Sequence, residues 1–216
     1  MLVTIIGAGA GISHAVAEIF GQKGFKIALI SRSEEKLKAQ VENLKSSGIN
    51  AFYAIGDAGN ETSLIAAIEQ ITLEHGDANL VLYNPYTYNL KPLGRETWES
   101  VKQQLDVNAG GAFHILKHLL PRYKEKNSGK IFFTGGGLGV QPMPRALALG
   151  LGKAALRNMI LAVAQETKGS NVHLAMITIC GFVKPDDPKH NPKAIAEQYW
   201  RLYEQQPGSY ETEVVY

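Results

Sequence analysis

The sequence predicts an α/β fold: a doubly wound parallel sheet with helices on both faces, in three layers α/β/α. Three observations lead there. Short apolar runs alternate with longer amphipathic stretches, a glycine-rich turn follows the first apolar run, and no proline- or serine-rich linker divides the 216 residues. Strands alternating with helices build βαβ units, and right-handed crossovers cover both faces of the resulting sheet. With 45% hydrophobic residues the chain can bury one sizeable core, so residues 1–216 are read as a single domain.

The predicted strands are Leu2–Ile6, Lys26–Ile30, Ala51–Ile55, Leu80–Tyr83, Lys130–Thr134 and Val172–Ile179. Helical periodicity covers Ser13–Gln22, Glu34–Leu44 and Glu61–Leu73. From Thr97 to Lys126 the pattern is almost continuously helical, with Pro121 the expected kink. The tail opens with Pro185, Pro188 and Pro192, continues as a helix carrying Ala196, Tyr199, Trp200 and Tyr203, and ends in the strand-like Glu211–Tyr216. An aromatic stripe at helical spacing is read as core.

Between the first strand and first helix lies Gly7-Ala8-Gly9-Ala10-Gly11-Ile12. Glycine lets a backbone turn tightly and approach phosphates, and the next helix aims free N–H groups at the anion. In this strand–turn–helix context Gly7, Gly9, Ala10, Gly11 and Ile12 are predicted to hold the pyrophosphate of a dinucleotide, which makes the unit Rossmann-type. The competing reading is a glycine turn needed only for helix–sheet packing. The second strand ends Ile30-Ser31-Arg32-Ser33, with no acid to accept the ribose hydroxyls of NAD. A guanidinium between two hydroxyls suits a 2′-phosphate, so Ser31, Arg32 and Ser33 predict NADP(H) over NAD(H). The competing reading pairs Arg32 with Glu34 or Glu35.

These landmarks resemble the short-chain dehydrogenase/reductase family over nearly the whole chain. Gly7–Ser13 is similar to its glycine motif, with Ile6 where threonine is usual and Ser13 where the last glycine would be. The resemblance implies an adenine contact at Gly56-Asp57-Ala58, where Asp57 also reads as a turn or cap residue. It implies cofactor contacts at Asn84 and Pro85, within Tyr83-Asn84-Pro85-Tyr86, and at Gly181 and Val183, which begin the segment after the sixth strand. Cys180 stands there where proline is usual. It further implies a catalytic Asn108, within Asp106-Val107-Asn108, and an active-site Lys153, within Gly152-Lys153-Ala154-Ala155-Leu156.

Two departures bear on chemistry. The family's tyrosine acid/base falls on Leu149, four residues before Lys153, and its serine falls on Gly136. General acid–base catalysis is worth roughly 10²–10⁴-fold, so losing both groups slows turnover unless something replaces them. This marks a divergent subgroup that keeps the lysine. One reading is an NADP(H)-dependent oxidoreductase with Tyr86 or Tyr88 as substitute proton donor, since both follow the fourth strand at the ligand-binding edge. On the blander view these tyrosines simply pack over the cofactor or a subunit surface. The other reading is an inactive NADP(H)-binding sensor or partner subunit.

Other classes find little support. There is no Gly-x-Ser-x-Gly elbow, and the six histidines are scattered. His114 and His118 share a helical face, but no cysteine cluster or acidic motif joins them, so no metal is expected. A net charge of +2 argues against nucleic-acid binding. The opening run Met1–Ile6 is too short for a membrane span and lacks a basic leader, and Cys180 is the single cysteine. The expectation is a cytoplasmic protein off the membrane. The short Lys184–Asn191 connection predicts an open pocket, and Thr97–Lys126 resembles the family's dimer surface, implying a homodimer or homotetramer.

Overall fold

A computed structural model describes residues 1–216. The chain forms β1 (Leu2–Ile6), α1 (Ile12–Gln22), β2 (Lys26–Ser31), α2 (Glu34–Ser46), β3 (Ala51–Ile55), α3 (Glu61–His75) and β4 (Leu80–Tyr83). It continues with α4 (Trp98–Leu105), α5 (Gly111–Glu125), β5 (Gly129–Gly136), α6 (Leu147–Ala164), β6 (Val172–Ile179), α7 (Pro192–Glu204) and β7 (Glu213–Val215). All seven strands lie in one parallel sheet of order β3-β2-β1-β4-β5-β6-β7. The chain winds outward from β1 to β3, then returns to β4 on the other side of β1. That reversal opens a crevice at the carboxyl ends of β1 and β4, where open α/β sheets take ligands.

Strands made mainly of apolar residues are buried on both faces, as parallel strands require. Every residue of β1, β4 and β6 is buried. One core layer packs α3, α5 and α6 on the sheet through Leu64, Ile68, Leu116, Leu120, Leu156 and Ile160. The opposite layer packs α1, α2 and α7 through Val16, Phe20, Leu37, Val41, Tyr199 and Leu202. Phe20 meets Trp200 and Tyr203 edge-on, with centroids 5.1 and 5.4 Å apart, so the tail stripe is core as predicted.

The structure corrects one feature of the long helical region. The interruption falls at Asp106–Gly110, a single wide turn between α4 and α5, while α5 runs through Pro121 to Glu125. A proline removes one N–H, whereas the wide turn is imposed from outside: it delivers Asn108 to a partner on another loop. His114 and His118, on α5, face Glu61 and Glu69 of α3 at 3.3 and 2.6 Å. Leu147–Thr167 is long and apolar enough by composition to cross a bilayer. Here its Ala148, Gly152, Lys153, Leu156 and Ile160 are buried in the fold.

The short last strand is held by charge as well as by pairing. Arg157 on α6 donates twice to Glu213, at 2.7 Å each, and Thr178 Oγ1 donates to the same carboxylate at 2.6 Å. The guanidinium beside Glu213 holds its carboxyl below the usual range. We expect Arg157→Met to cost about 1–2 kcal/mol, a half-exposed charged hydrogen bond's worth. Amide exchange at Tyr216, which donates to Thr178 at 2.9 Å, should accelerate in step while the β1–β2 amides stay protected.

Candidate active site

The loop after β1 turns at Gly7, whose φ is +81°. A Cβ there would lie 2.5 Å from the Pro85 nitrogen, so only glycine lets the β1 and β4 loops meet. Two side chains stitch that meeting. Ser13 Oγ donates to the Gly7 carbonyl at 2.9 Å and accepts from Asn84 Nδ2 at 2.7 Å. Ser13 therefore ties down the site where the family's last glycine would stand, a role its sequence position alone did not reveal.

Gly9 and Gly11 are different. A Cβ on Gly9 would come no nearer than 4.0 Å to any atom, and one on Gly11 would meet nothing. Internal packing does not demand these two glycines. Beyond them α1 begins without a side-chain cap or an acid in its first turn. The amides of Gly9, Ala10, Gly11, Ile12 and Ser13 find no acceptor in the chain. Five free donors at a helix N-terminus form a cradle for an anion, and the bare glycines let that anion approach.

At the end of β2, Arg32 is exposed and makes no ion pair. The pairing with Glu34 considered from sequence does not form. Glu34 instead meets Lys38 at 3.1 Å and accepts from the Tyr53 hydroxyl at 3.1 Å. Ser33 caps α2, accepting from the Lys36 amide, and Ser31 is half-buried at the strand end. After β3, Asp57 closes a turn by accepting from the Gly59 amide at 2.9 Å, with buried Ala58 beside it.

Asn108 is fully buried and bonds both functions of its amide to one backbone unit. Its Nδ2 donates to the Thr87 carbonyl at 2.8 Å and its Oδ1 accepts from the Thr87 amide at 3.0 Å. It clamps the loop after β4. Gly152 of α6 packs against it so closely that a Cβ would lie 2.5 Å from the Asn108 Cβ, which brings Lys153 into the same neighbourhood.

Lys153 is 8% exposed. Its Nζ donates to the Thr134 carbonyl at 2.8 Å, and no carboxylate pairs with it. Burial pushes its pKa down to about 8. Gly136 leaves the flank of that side chain bare: a Cβ there would rest 3.6–3.7 Å from Lys153 Cγ, Cδ and Cε, an ordinary contact. Leu149 is half-buried one turn earlier on α6. Thr134 Oγ1 bonds the Tyr199 hydroxyl at 2.7 Å, so that tyrosine belongs to the opposite core layer.

Tyr86 and Tyr88 are 63% and 55% exposed and stack on each other, with centroids 5.9 Å apart. No hydrogen bond joins either hydroxyl to Lys153. Across the cleft, Gly181 lies under the His190 ring, where a Cβ would clash, and Val183 is exposed. The site thus gathers the Gly7–Ser13 cradle, Asn84, Pro85, Asn108, Gly136 and Lys153 around the crevice, with Arg32 and Asp57 at the ends of the flanking strands.

The short chain dehydrogenase profile matches residues 1–193, across this entire edge. The chain belongs to that family. A Bacillus subtilis relative, Uncharacterized oxidoreductase YvrD, is 31% identical over 171 residues, which are 79% of this chain and 64% of that protein. The chain thus spans just under two thirds of that relative's length. Among solved structures, a short-chain dehydrogenase from Rhodopseudomonas palustris superposes with a TM-score of 0.89 at 25% identity, covering 100% of this chain and 97% of the other. A metagenomic short-chain oxidoreductase in complex with NADP reaches 0.91 at 20% identity, covering 100% and 96%. Membership of the short-chain dehydrogenases agrees with the seven-stranded parallel sheet and the glycine turn at its carboxyl edge.

The buried lysine of this short-chain dehydrogenase has a measurable signature. Below pH 8 both folded and unfolded states carry the proton, and the burial penalty on Lys153 is present in full. Between pH 8 and 10.5 the unfolded chain binds more proton, so stability rises with pH until the penalty disappears. We expect Lys153→Met to stabilise the chain by on the order of 1–3 kcal/mol at pH 7 and by little at pH 10.5, as read by urea denaturation.

Proposed function

We propose that the protein is an NADP(H)-dependent oxidoreductase of the short-chain dehydrogenase family whose catalytic set is incomplete. The observation that carries the cofactor reading is the run of five unmatched amides from Gly9 to Ser13, with unpaired Arg32 beyond it. The residues fit the group: the cradle suits a pyrophosphate, and Arg32 between Ser31 and Ser33 suits a 2′-phosphate. Asp57 and Ala58 would border the adenine side; Asn84, Pro85, Gly181 and Val183 would border the nicotinamide side.

The dinucleotide, when bound, supplies or accepts a hydride. Lys153, its ammonium fixed by the Thr134 carbonyl, would offer its remaining Nζ protons to ribose hydroxyls. Asn108 holds the β4 loop in place through Thr87. Proton transfer to the substrate oxygen is the weak step, because Leu149 has no proton to give and Gly136 no side chain. Tyr86 is retained as the substitute donor; to serve, it must leave its stack on Tyr88.

That stack, together with Leu149 and Gly136, favours a second reading: an NADP(H)-binding sensor or partner subunit without turnover. The half-buried Leu149 and the room beside Gly136 allow a direct discrimination. Leu149→Tyr combined with Gly136→Ser should raise carbonyl-dependent NADPH oxidation by about 100-fold or more if the frame is otherwise catalytic. A double variant that binds NADPH and stays silent supports the sensor. Assembly as a homodimer or homotetramer is part of the proposal, supported by exposed Trp98, Phe113 and Leu151 on α4, α5 and α6.

Cofactor choice is tested by calorimetric titration of NADPH and NADH. NADPH should bind roughly 10- to 100-fold more tightly, one charge-assisted contact of about 1.5–3 kcal/mol, and Arg32→Ala should erase the difference. Equal affinities in the wild type would remove the NADP(H) assignment.

A further inference from the structure

Half of the large apolar side chains left exposed by the fold lie on three loops at one edge of the sheet. Tyr86 and Tyr88 follow β4, Val140 and Met143 follow β5, and Phe182 and Val183 follow β6. The three loops are neighbours. The Lys91 amide donates to the Arg145 carbonyl at 2.9 Å, joining the first to the second. A Cβ on Gly137 would lie 3.2 Å from Cys180 Cα, joining the second to the third. Together they form a rim of apolar surface beside Lys153 and Gly136. Exposed apolar side chains grouped at the ligand-binding edge of an α/β sheet suit a binding face.

The rim's charge is one-sided. Lys91 and Arg145 meet through their backbones, and neither side chain has a carboxylate within ion-pair distance; Lys91 Nζ lies 3.3 Å from the Asn89 side-chain amide, which also meets Glu96 Oε1 at 2.7 Å. Of the acids on the same loops, Glu96 and Asp187 are engaged and Asp186 is exposed. Glu96 has its Oε2 buried inside the β4–α4 loop, and Asp187 accepts from the amides of Lys189 and His190 within its own turn. Asp186 is exposed three residues beyond Val183. Arg145 also holds a φ of +67°, a left-handed conformation costly for any residue with a side chain.

Resting on the dinucleotide reading, we infer that the compound taken at this rim is bulky and mainly apolar and carries an anionic group recognised by Lys91 and Arg145. The stacked Tyr86–Tyr88 pair offers the flat apolar wall, and the two cations offer the counter-charge. A neutral compound of the same shape leaves two neighbouring cations unneutralised, so it binds more weakly.

The test compares two probes sharing one ring skeleton: 1-anilinonaphthalene-8-sulfonate, an anion, and N-phenyl-1-naphthylamine, which is neutral. Both are titrated by fluorescence into the full chain saturated with NADP⁺, with NADP⁺ binding followed separately by calorimetry. The sulfonate should bind about 10-fold more tightly than the amine, equivalent to about 1.4 kcal/mol. Lys91→Gln with Arg145→Gly, which also relieves the left-handed backbone, should raise the sulfonate Kd about 10-fold and leave the amine's within about 2-fold. Arg145→Lys, which keeps the charge, should retain the preference. Equal Kd values for the two probes overturn the inference, as does a sulfonate Kd unmoved by the double variant. So does failure of both probes to bind, whether a second copy covers the rim or not. A chain that discriminates the probes but ignores NADP⁺ fails the cofactor reading alone. One that binds NADP⁺ without discriminating them fails this inference alone.

Discussion

The carboxyl edge depends on one close approach. Gly7 leaves β1 with φ +81° and passes so near Asn84–Pro85 that no Cβ fits between them. Because the β1 and β4 loops touch there, Ser13 can bridge them, accepting from Asn84 while donating to Gly7. That bridge sets the direction in which α1 begins and leaves its first amides facing outward. The cradle is thus a by-product of strand order: β1 and β4 are neighbours only because the chain reverses direction at this point.

On the other side of β4 a different polar contact does comparable work. Asn108 needs to reach Thr87, and the helix opens into a wide turn to let it. Gly152 then presses α6 onto Asn108, which sets the depth of Lys153. The lysine is buried with a carbonyl for company and no carboxylate. In a low-dielectric site that arrangement depresses its pKa and leaves an ammonium with donors to spare. A ligand that accepts from Nζ would recover some of the desolvation cost. The site is therefore poised for a polar acceptor.

Much of this was legible in the residues. Apolar runs located six strands within a residue or two, because parallel strands buried on both faces admit few polar residues. The glycine turn and Arg32 stood out because phosphate chemistry needs those residue types beside a strand end. Other parts were hidden. Ser13 read as a departure from a motif, and only the Asn84 contact shows that it replaces packing with hydrogen bonds. The long helical region read as continuous because the pull of Thr87 on Asn108 acts across 21 residues of chain. Whether Arg32 was paired hinged on Tyr53 and Lys38 occupying Glu34, a three-body arrangement that spacing cannot encode.

By itself the sequence determined the sheet's strands, its parallel sense, the place of the glycine-rich turn, and that Leu149 and Gly136 precede Lys153. These follow from local periodicity and residue chemistry, which act within a few residues. The tertiary structure decided which glycines serve packing and which are left bare, how deeply Lys153 is buried, and that Tyr86 lies against Tyr88. It also decided that Lys91 and Arg145 stand together at the rim. Those outcomes depend on distances between loops far apart in the chain, fixed only when β1, β4, β5 and β6 come to lie side by side.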